Sequence, residues 1–251
     1  MSINALFIVD PQNDFCDPKG ALYVPGASED MARLAGYIER HAPSAVFVSL
    51  DSHDANAIFH PRFWVNEAGQ HPAPFTSITP DDFRAGRWRS VVPCPEAEGT
   101  FSAIEAKKID GLTIWPEHCL VSTWGHQIAA PLMEALDQWR DETGLAVRYV
   151  FKGENPFTDQ FSVFEGVNDA WPETKFNEAL FQKLKDFDSV AFAGEALSHC
   201  VSATVASYMK RLSAEQCYAN QSVRLLEDCT SPVAGFERGA FVDSLRKMGV
   251  E

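Results

Sequence analysis

The stretch Asp188-Ser-Val-Ala-Phe-Ala-Gly-Glu-Ala-Leu-Ser-His-Cys-Val201 indicates most directly how this chain folds. Its first seven residues predict a short buried strand, and Cys200 opens a helical run over 201–211. A thiol in the first turn of a helix lies at the positive end of the helix dipole, which we expect to lower the thiol pKa. The alternative is an inert buried cysteine, because free cysteine is among the most buried residue types.

Strands and helices alternate along the rest of the chain. Continuous apolar runs predict buried strands at 5–9, 44–50, 145–151 and 222–226. Apolar residues at helical spacing predict helices at 31–38, 128–139 and 236–248. This alternation predicts an α/β protein with a three-layer doubly wound fold and a mostly parallel central sheet, in one domain over 1–251.

The charge balance excludes several classes of partner. The chain has 21 basic and 35 acidic residues, so its formal net charge is −14. Such a balance argues against a nucleic-acid groove and against an anionic membrane surface. The sequence has no apolar run of membrane-spanning length and no N-terminal leader pattern, and its six cysteines lack paired spacing. We therefore expect reduced thiols and a cytoplasmic protein.

One long segment departs from the alternating pattern. Residues from about 56 to 112 form an irregular insertion rich in Pro, His, Phe and Trp, and a second irregular stretch covers 153–171. Long loops inside a compact domain are usually lids or binding loops. The alternatives for the insertion are decoration or a contact between subunits.

Four chemically useful side chains follow or end predicted strands. Asp10, Asp51, Lys152 and the loop carrying Cys200 all fall at carboxyl ends of strands, where open α/β sheets bind ligands. A carboxylate can accept the thiol proton, a lysine can stabilise both anions, and the thiolate can attack a carbonyl. Taken singly, Asp10 is equally well a turn cap, and Lys152 a solvated lysine.

A second set of residues suggests a metal site. Asp51 and His53 lie on the same side of an extended segment, and His118 sits in Trp115-Pro-Glu-His-Cys119. One carboxylate and two imidazoles with open positions suit Zn²⁺, Fe²⁺ or Mn²⁺. Hydrogen-bonded structural histidines are the alternative.

Five motifs occur in the order found in a known family. Val9-Asp-Pro-Gln-Asn-Asp-Phe15, with Gly20-Ala-Leu22 and Val24-Pro-Gly26 after it, resembles the opening motif of the isochorismatase-like cysteine hydrolases, and within them is most similar to nicotinamidases. The other matches are Asp51-x-His53, Trp115-Pro-Glu-His-Cys119 with Thr123-Trp-Gly125, Val150-Phe-Lys-Gly153, and Gly194-Glu-Ala-Leu-Ser-His-Cys-Val201. The resemblance covers roughly residues 4–54 and 112–250.

The resemblance implies a role for each matched residue. Cys200 matches the nucleophile, Asp10 the base and Lys152 the cation of a catalytic triad. The Glu195–Ala196 bond matches a cis peptide that aims the Ala196 amide, beside that of Cys200, at an oxyanion. The metal ligands match Asp51, His53 and His118, and the positions that pack on the substrate ring match Phe15 and Trp115.

The resemblance also implies an activity, a cofactor and an assembly. We expect hydrolysis of nicotinamide to nicotinate and ammonia through a thioester, with one divalent metal ion, zinc first, and a homo-oligomer. The alternatives are an amidase or ureidase acting on another small amide, a binding protein of the same fold, and a structural zinc protein. An isochorismatase-type vinyl-ether hydrolase is disfavoured, because those enzymes lack the nucleophilic cysteine.

Three departures from the family pattern bear on the substrate. Ser52 stands where many nicotinamidases have an aromatic residue. His60 is displaced from the usual position of a further histidine and precedes Pro61, so it is not expected to be a ligand. The gap between His53 and Trp115 is longer than in compact nicotinamidases, so the insertion is expected to influence specificity.

Overall fold

A five-stranded parallel sheet lies at the centre of the protein. The computed structural model describes residues 4–215 and 221–251. The strands are β1 (Asn4–Val9), β2 (Ala45–Asp51), β3 (Trp64–Val65), β4 (Ser77–Ile78), β5 (Arg89–Ser90), β6 (Leu112–Thr113), β7 (Arg148–Lys152), β8 (Ser189–Gly194) and β9 (Ser222–Leu225). The central sheet has the order β7-β2-β1-β8-β9, and every neighbouring pair in it is parallel. The predicted parallel α/β sheet is confirmed.

Helices cover both faces of this sheet, and the helices over 80–84 and 96–106 pack within the insertion instead. The helices are α1 (Asn13–Cys16), α2 (Ala27–His41), α3 (Pro80–Arg84), α4 (Glu96–Ala106), α5 (Ala130–Thr143), α6 (Glu178–Lys185), α7 (Ser202–Ala214) and α8 (Arg238–Lys247). The helix expected to open at Cys200 begins instead at Ser202, because a wider π-helical turn over Leu197–Val201 precedes it.

Alternating residues of β1 build the two hydrophobic layers. Leu6 and Ile8 belong to a cluster with α2 and α5, whereas Phe7 and Val9 belong to a cluster with α6, α7 and α8. Successive side chains of a strand point to opposite faces, so a strand buried on both faces is apolar throughout. This accounts for the continuous apolar run at the start of the chain.

The insertion has a hydrophobic core of its own and contains short strands and helices, where the sequence pattern predicted an irregular segment. β3 pairs with β5 and β4 with β6, both antiparallel. Trp64 is fully buried and its indole N–H donates to the Ile58 carbonyl at 2.5 Å. The rings of Phe83 and Phe101 stack at 4.4 Å. The sequence pattern missed α4, although Ala97, Phe101 and Ile104 recur at helical spacing on its buried side.

Within residues 4–215 and 221–251, no helix is both long enough and apolar enough to cross a membrane. Five cysteines in these ranges carry free thiols, which agrees with the expectation of reduced thiols for them. Cys217 lies outside the described residues.

Candidate active site

The carboxyl ends of four parallel strands bring the four predicted side chains together. Asp10 follows β1, Asp51 ends β2, Lys152 ends β7 and Cys200 follows β8. From β1 the chain builds the sheet first through β2 and β7 on one side, then through β8 and β9 on the other. The crevice between β1 and β8 is therefore a topological switch point, the usual ligand site of such sheets.

Lys152 is the centre of this cluster. Its Nζ lies 2.9 Å from Asp10 Oδ2, 2.5 Å from Asp51 Oδ1 and 3.5 Å from Cys200 Sγ, and it donates to the Gln160 carbonyl at 3.1 Å. Burial opposes the ammonium charge, but the carboxylates of Asp10 and Asp51 outweigh it and raise the pKa of Lys152 well above its ordinary value. One buried cation thus neutralises part of the charge of two buried carboxylates.

Asp10 is a fully buried carboxylate with a raised pKa. Burial raises its pKa to about 6, and the nearby Lys152 ammonium limits the rise. The Ser49 hydroxyl donates to Asp10 Oδ1 at 2.6 Å, and the Asp10 amide donates to the same hydroxyl oxygen at 3.1 Å. A base with a pKa just below neutrality is ionised at pH 7 and still able to hold a proton during a reaction.

The environment of Cys200 differs from the sequence-based expectation. Burial raises the pKa of its thiol well above the ordinary value; the Lys152 ammonium opposes this rise, and the carboxylates of Asp10 and Asp51 add to it. The expected lowering of this pKa by the helix dipole is therefore wrong, because burial and two carboxylates outweigh the favourable charges. The resting sulfur is a thiol, so its activation requires proton transfer to a neighbouring base.

The turn before Cys200 presents backbone amides. The Glu195–Ala196 peptide bond is cis, as the resemblance implied. The Glu195 amide donates to the Val9 carbonyl at 2.8 Å, and the Ala196 carbonyl accepts from the amides of His199 and Val201. Within the part of the chain that the structure describes, the Ala196 N–H has no hydrogen-bond partner, so it is available to a ligand in the pocket.

Asp51, His53 and His118 converge beside this cluster. Their ligand atoms all lie within 4.8 Å of one another, and Asp51 Oδ2 is 3.4 Å from His53 Nε2 and 4.0 Å from His118 Nε2. His53 Nδ1 is 3.0 Å from the Gly153 carbonyl, and His118 Nδ1 is 2.8 Å from the Pro116 carbonyl. Each carbonyl accepts the Nδ1 proton, which leaves the Nε2 lone pair free for a metal ion.

Two further observations fit a metal ion at this place. His60 is fully buried, with its ring 5.9 Å from that of His53 and 5.6 Å from that of His118, and its Nε2 has no hydrogen-bond partner. Burial lowers the pKa of His60 to about 4, so the imidazole is neutral.

Gly153 has φ 71°, and a Cβ there would lie 2.3 Å from the His53 ring, so glycine is required.

Aromatic side chains form the walls of the pocket above Cys200. Phe15 and Trp115, the two positions implied to pack on a substrate ring, both line it together with Phe161 and His199. The Trp115 indole donates to Asp159 Oδ2 at 3.2 Å, and burial raises the pKa of Asp159 to about 6. The pocket therefore combines flat apolar walls with a few polar groups, as small-molecule sites usually do.

Comparison with known proteins places this site in a family. No family model matches the sequence. The nicotinamidase of Escherichia coli strain K12 is 31% identical over 212 residues, which cover 82% of this chain and 76% of that protein. The chain belongs to the nicotinamidase family. It is a hydrolase acting on an amide carbon–nitrogen bond. The nicotinamidase of Saccharomyces cerevisiae is 25% identical over 209 residues, covering 82% of this chain and 81% of that protein.

Solved structures of nicotinamidases show the same fold. Yeast Pnc1p aligns over 99% of this chain and 98% of its own with a TM-score of 0.69 and 20% identity. PnC1 from L. infantum, solved with nicotinate, covers 99% and 91% with a TM-score of 0.63 and 21% identity. The pyrazinamidase of Pyrococcus horikoshii, solved with zinc, covers 99% and 97% with a TM-score of 0.56 and 19% identity.

Several residues that hold the site were not singled out from the sequence of this nicotinamidase-family chain. The Gln12 side chain donates to the Asp51 carbonyl and accepts from the Asp51 amide, each at 2.7 Å. Asp14 accepts from the amides of Cys119 and Ala21 at 2.6 and 2.9 Å. Both residues lie inside the opening motif, and this position was the sequence signal that could have identified them. Asp159 lies in the irregular stretch 153–171, where no sequence pattern marks it as part of the site.

Proposed function

We propose that this protein hydrolyses nicotinamide to nicotinate and ammonia through a thioester on Cys200. The observation that carries the proposal is the buried arrangement of one nucleophile, one base and one cation. Lys152 Nζ lies 3.5 Å from Cys200 Sγ and 2.9 Å from Asp10, at the switch point of a nicotinamidase-family sheet. Nucleophile, base and orienting charge within contact distance are the signature of covalent catalysis.

In the proposed mechanism the reaction has two half-reactions, thioester formation and thioester hydrolysis. Asp10 takes the thiol proton while Cys200 Sγ bonds to the amide carbon, and the oxyanion accepts hydrogen bonds from the Ala196 and Cys200 amides. Asp10 then gives the proton to the departing nitrogen, so ammonia leaves and a thioester remains. In the second half, Asp10 takes a proton from water as its oxygen bonds to the thioester carbon. The thiol is then restored and nicotinate is released.

We further propose that Asp51, His53 and His118 hold one divalent ion, with zinc the first choice. One carboxylate and two imidazoles suit zinc, and the Nδ1 atom of each imidazole is already fixed by a hydrogen bond. We add His60 to this set, because its Nε2 has no hydrogen-bond partner. Held there, such an ion would supply Lewis-acid character toward the pyridine nitrogen of the substrate. Phe15 and Trp115 hold the ring between flat apolar faces.

The decisive experiment is an ammonia-release assay across nicotinamide, pyrazinamide, a small aliphatic amide and a ureido amide, with and without added zinc. We expect nicotinamide to be turned over, and Cys200→Ala to lose at least about 10⁴-fold in rate while its circular-dichroism melting curve remains cooperative. Cys94→Ala, a half-buried thiol in the insertion, is the matched control and keeps activity. Nicotinamide turnover by the Cys200→Ala protein at the wild-type rate would contradict the mechanism.

The second candidate is an amidase or ureidase acting on another small amide. The Phe75 ring of the insertion, which meets the pocket residue Trp115 edge-on at 6.1 Å, favours keeping it, since a side chain there is able to alter specificity. Release of ammonia from the aliphatic or ureido amide, with none from nicotinamide, would establish this alternative. Absence of turnover on every amide would favour a binding protein.

We also propose a cytoplasmic location and a homo-oligomer. Free thiols in the described residues are typical of a reducing compartment. The edge strand β7 exposes Tyr149 and Phe151, which are 39% and 52% exposed, and an exposed apolar edge suits a contact between copies. Sedimentation equilibrium of the purified chain tests the assembly.

A further inference from the structure

A second, much larger space adjoins the pocket above Cys200. It is an open cleft of about 610 Å³. Leu22, Trp115, His199 and Val233 line both the cleft and the pocket, so the two spaces are neighbours that share these walls. We call the larger space the outer cleft.

The walls of the outer cleft are aromatic and uncharged. Phe75 and Phe236 at its rim are 60% and 46% exposed. Phe75 meets the Trp115 ring edge-on at 6.1 Å, and Phe236 meets the His199 ring edge-on at 4.9 Å. Burial lowers the pKa of His199 to about 4, so this imidazole is neutral at pH 7. Among the described residues that line the cleft, none is Asp, Glu, Lys or Arg.

The insertion supplies the most exposed of these rings. Phe75 has φ 68°, in the left-handed region that residues with a side chain rarely adopt, and its amide is held by the Ile114 carbonyl at 2.5 Å. Both the backbone conformation and the exposure of the ring to water are unfavourable in the unliganded protein. A ligand that covers the ring recovers the part of this free energy that comes from its exposure, and the ring already stands beside the pocket residue Trp115.

We propose that the outer cleft binds an uncharged apolar substituent, by preference an aromatic one, on the ring of the amide substrate. The inference rests on the proposed function, because the ring and its amide occupy the pocket beside Cys200 while the substituent extends past Trp115 and His199. Aromatic rings favour edge-on or offset contact with another ring. A charged substituent would lose water here without gaining an oppositely charged partner.

The test compares nicotinamide with 5-phenylnicotinamide, 6-phenylnicotinamide and 5-carboxynicotinamide in the ammonia-release assay. For the wild-type protein we expect at least one phenyl isomer to match or exceed nicotinamide in kcat/KM, and the carboxy compound to fall about tenfold or more below it. The double variant Phe75→Ala/Phe236→Ala lowers the ratio of kcat/KM for that phenyl isomer to kcat/KM for nicotinamide by about tenfold, mainly through KM. Val92→Ala removes an exposed apolar side chain from a different cleft and leaves the ratio unchanged.

Three results would overturn the inference while leaving the proposed function intact. In the first, both phenyl isomers react more slowly than nicotinamide. In the second, the double variant leaves the ratio of the two kcat/KM values unchanged. In the third, the double variant changes the sedimenting mass of the protein instead of this ratio. If nicotinamide itself is not hydrolysed, the proposed function fails. Calorimetric titration of the phenyl isomers into Cys200→Ala protein, with and without the double variant, then tests whether the outer cleft binds the phenyl group. Binding that the double variant weakens supports the inference, and no binding overturns it.

Discussion

The sheet edge and the insertion are organised in opposite ways. At the sheet edge, Asp10, Asp51 and Lys152 bury three charges at the ends of parallel strands, each within reach of an opposite charge. The insertion buries aromatic rings such as Trp64 in a core of its own and exposes the Phe75 ring in the outer cleft. Groups that need fixed geometry thus stand on rigid strands, whereas the ring that we propose to contact a substrate substituent stands on an added loop.

Electrostatics explains why the buried charges lie at the sheet edge and not in the insertion. A buried charge is tolerated only with a close partner, and the strand register, which pairs Asp51 with Lys152, supplies that partner from the backbone. The ion pairs of the insertion, such as Arg84 with Glu105 and Arg87 with Asp82, are partly exposed and contribute little, so hydrophobic burial is the main source of its order.

Replacing the central cation should damage both chemistry and stability. Lys152→Met keeps the volume but leaves two buried carboxylates without their partner. We expect kcat/KM for nicotinamide to fall by at least about 10³-fold, and the free energy of unfolding in urea to fall by about 3–5 kcal/mol.

The matched control is Lys185→Met, which breaks a partly exposed pair with Glu215. It should change the free energy of unfolding by about 1 kcal/mol or less and leave turnover unaffected. A Lys152→Met protein that keeps more than a tenth of the activity would contradict the central role of the cation.

Removing the core of the insertion should act locally. Trp64→Ala deletes a fully buried indole and should cost about 3–5 kcal/mol. If the insertion is ordered by its own core, amide hydrogen exchange should accelerate across 57–115 while β1 and β8 stay protected.

Trp124→Ala, at a position 47% exposed, should have almost no effect on exchange. Equal loss of protection in β1 and β8 after Trp64→Ala would mean that the two regions unfold as one unit, and the comparison between them would fail.

Removing the imidazole of His60, whose Nε2 has no hydrogen-bond partner, should weaken metal binding. His60→Ala should lower zinc affinity by about tenfold, because one buried nitrogen that faces the Asp51, His53 and His118 cluster is lost. Competition with a chromophoric chelator measures this without reference to turnover.

His71→Ala is the control, since His71 bonds to the Trp64 carbonyl within the insertion. Chelation should abolish most activity reversibly and leave the protein folded; unfolding on chelation would indicate a structural ion instead. Unchanged zinc affinity in the His60→Ala protein would remove His60 from the ligand set.

The smallest effect expected is on the pH profile. Turnover requires ionised Asp10, so kcat/KM should fall as the pH drops through about 6. Ser49→Ala removes the hydroxyl that stabilises the carboxylate, so the pKa of Asp10 rises and the acid limb moves to higher pH.

Ser52→Ala is a close control, because the Ser52 hydroxyl bonds to His126 and not to Asp10. An acid limb that stays in place in the Ser49→Ala protein would mean that another group controls it.

Local patterns predicted much of the fold and the placement of the candidate site. The apolar runs and helical spacings gave most elements of the core within a few residues of their bounds, while α4 was missed among prolines. The convergence of Asp10, Asp51, Lys152 and Cys200 was predictable because carboxyl ends of parallel strands always meet at one edge. The hydrogen bond between Trp115 and Asp159 was not predictable, because the two residues are far apart in the sequence and lie in segments without regular secondary structure.

The sequence by itself determined the α/β class, the four strand-end side chains and the family, since each depends on short patterns in a known order. Three further properties became visible in the folded chain alone: the direction of the Cys200 pKa, the approach of His60 to the histidine cluster, and the cleft beside Phe75. Desolvation, the orphaned His60 nitrogen and the shape of a cleft arise from contacts between distant segments, and no local pattern encodes the sum of those contacts.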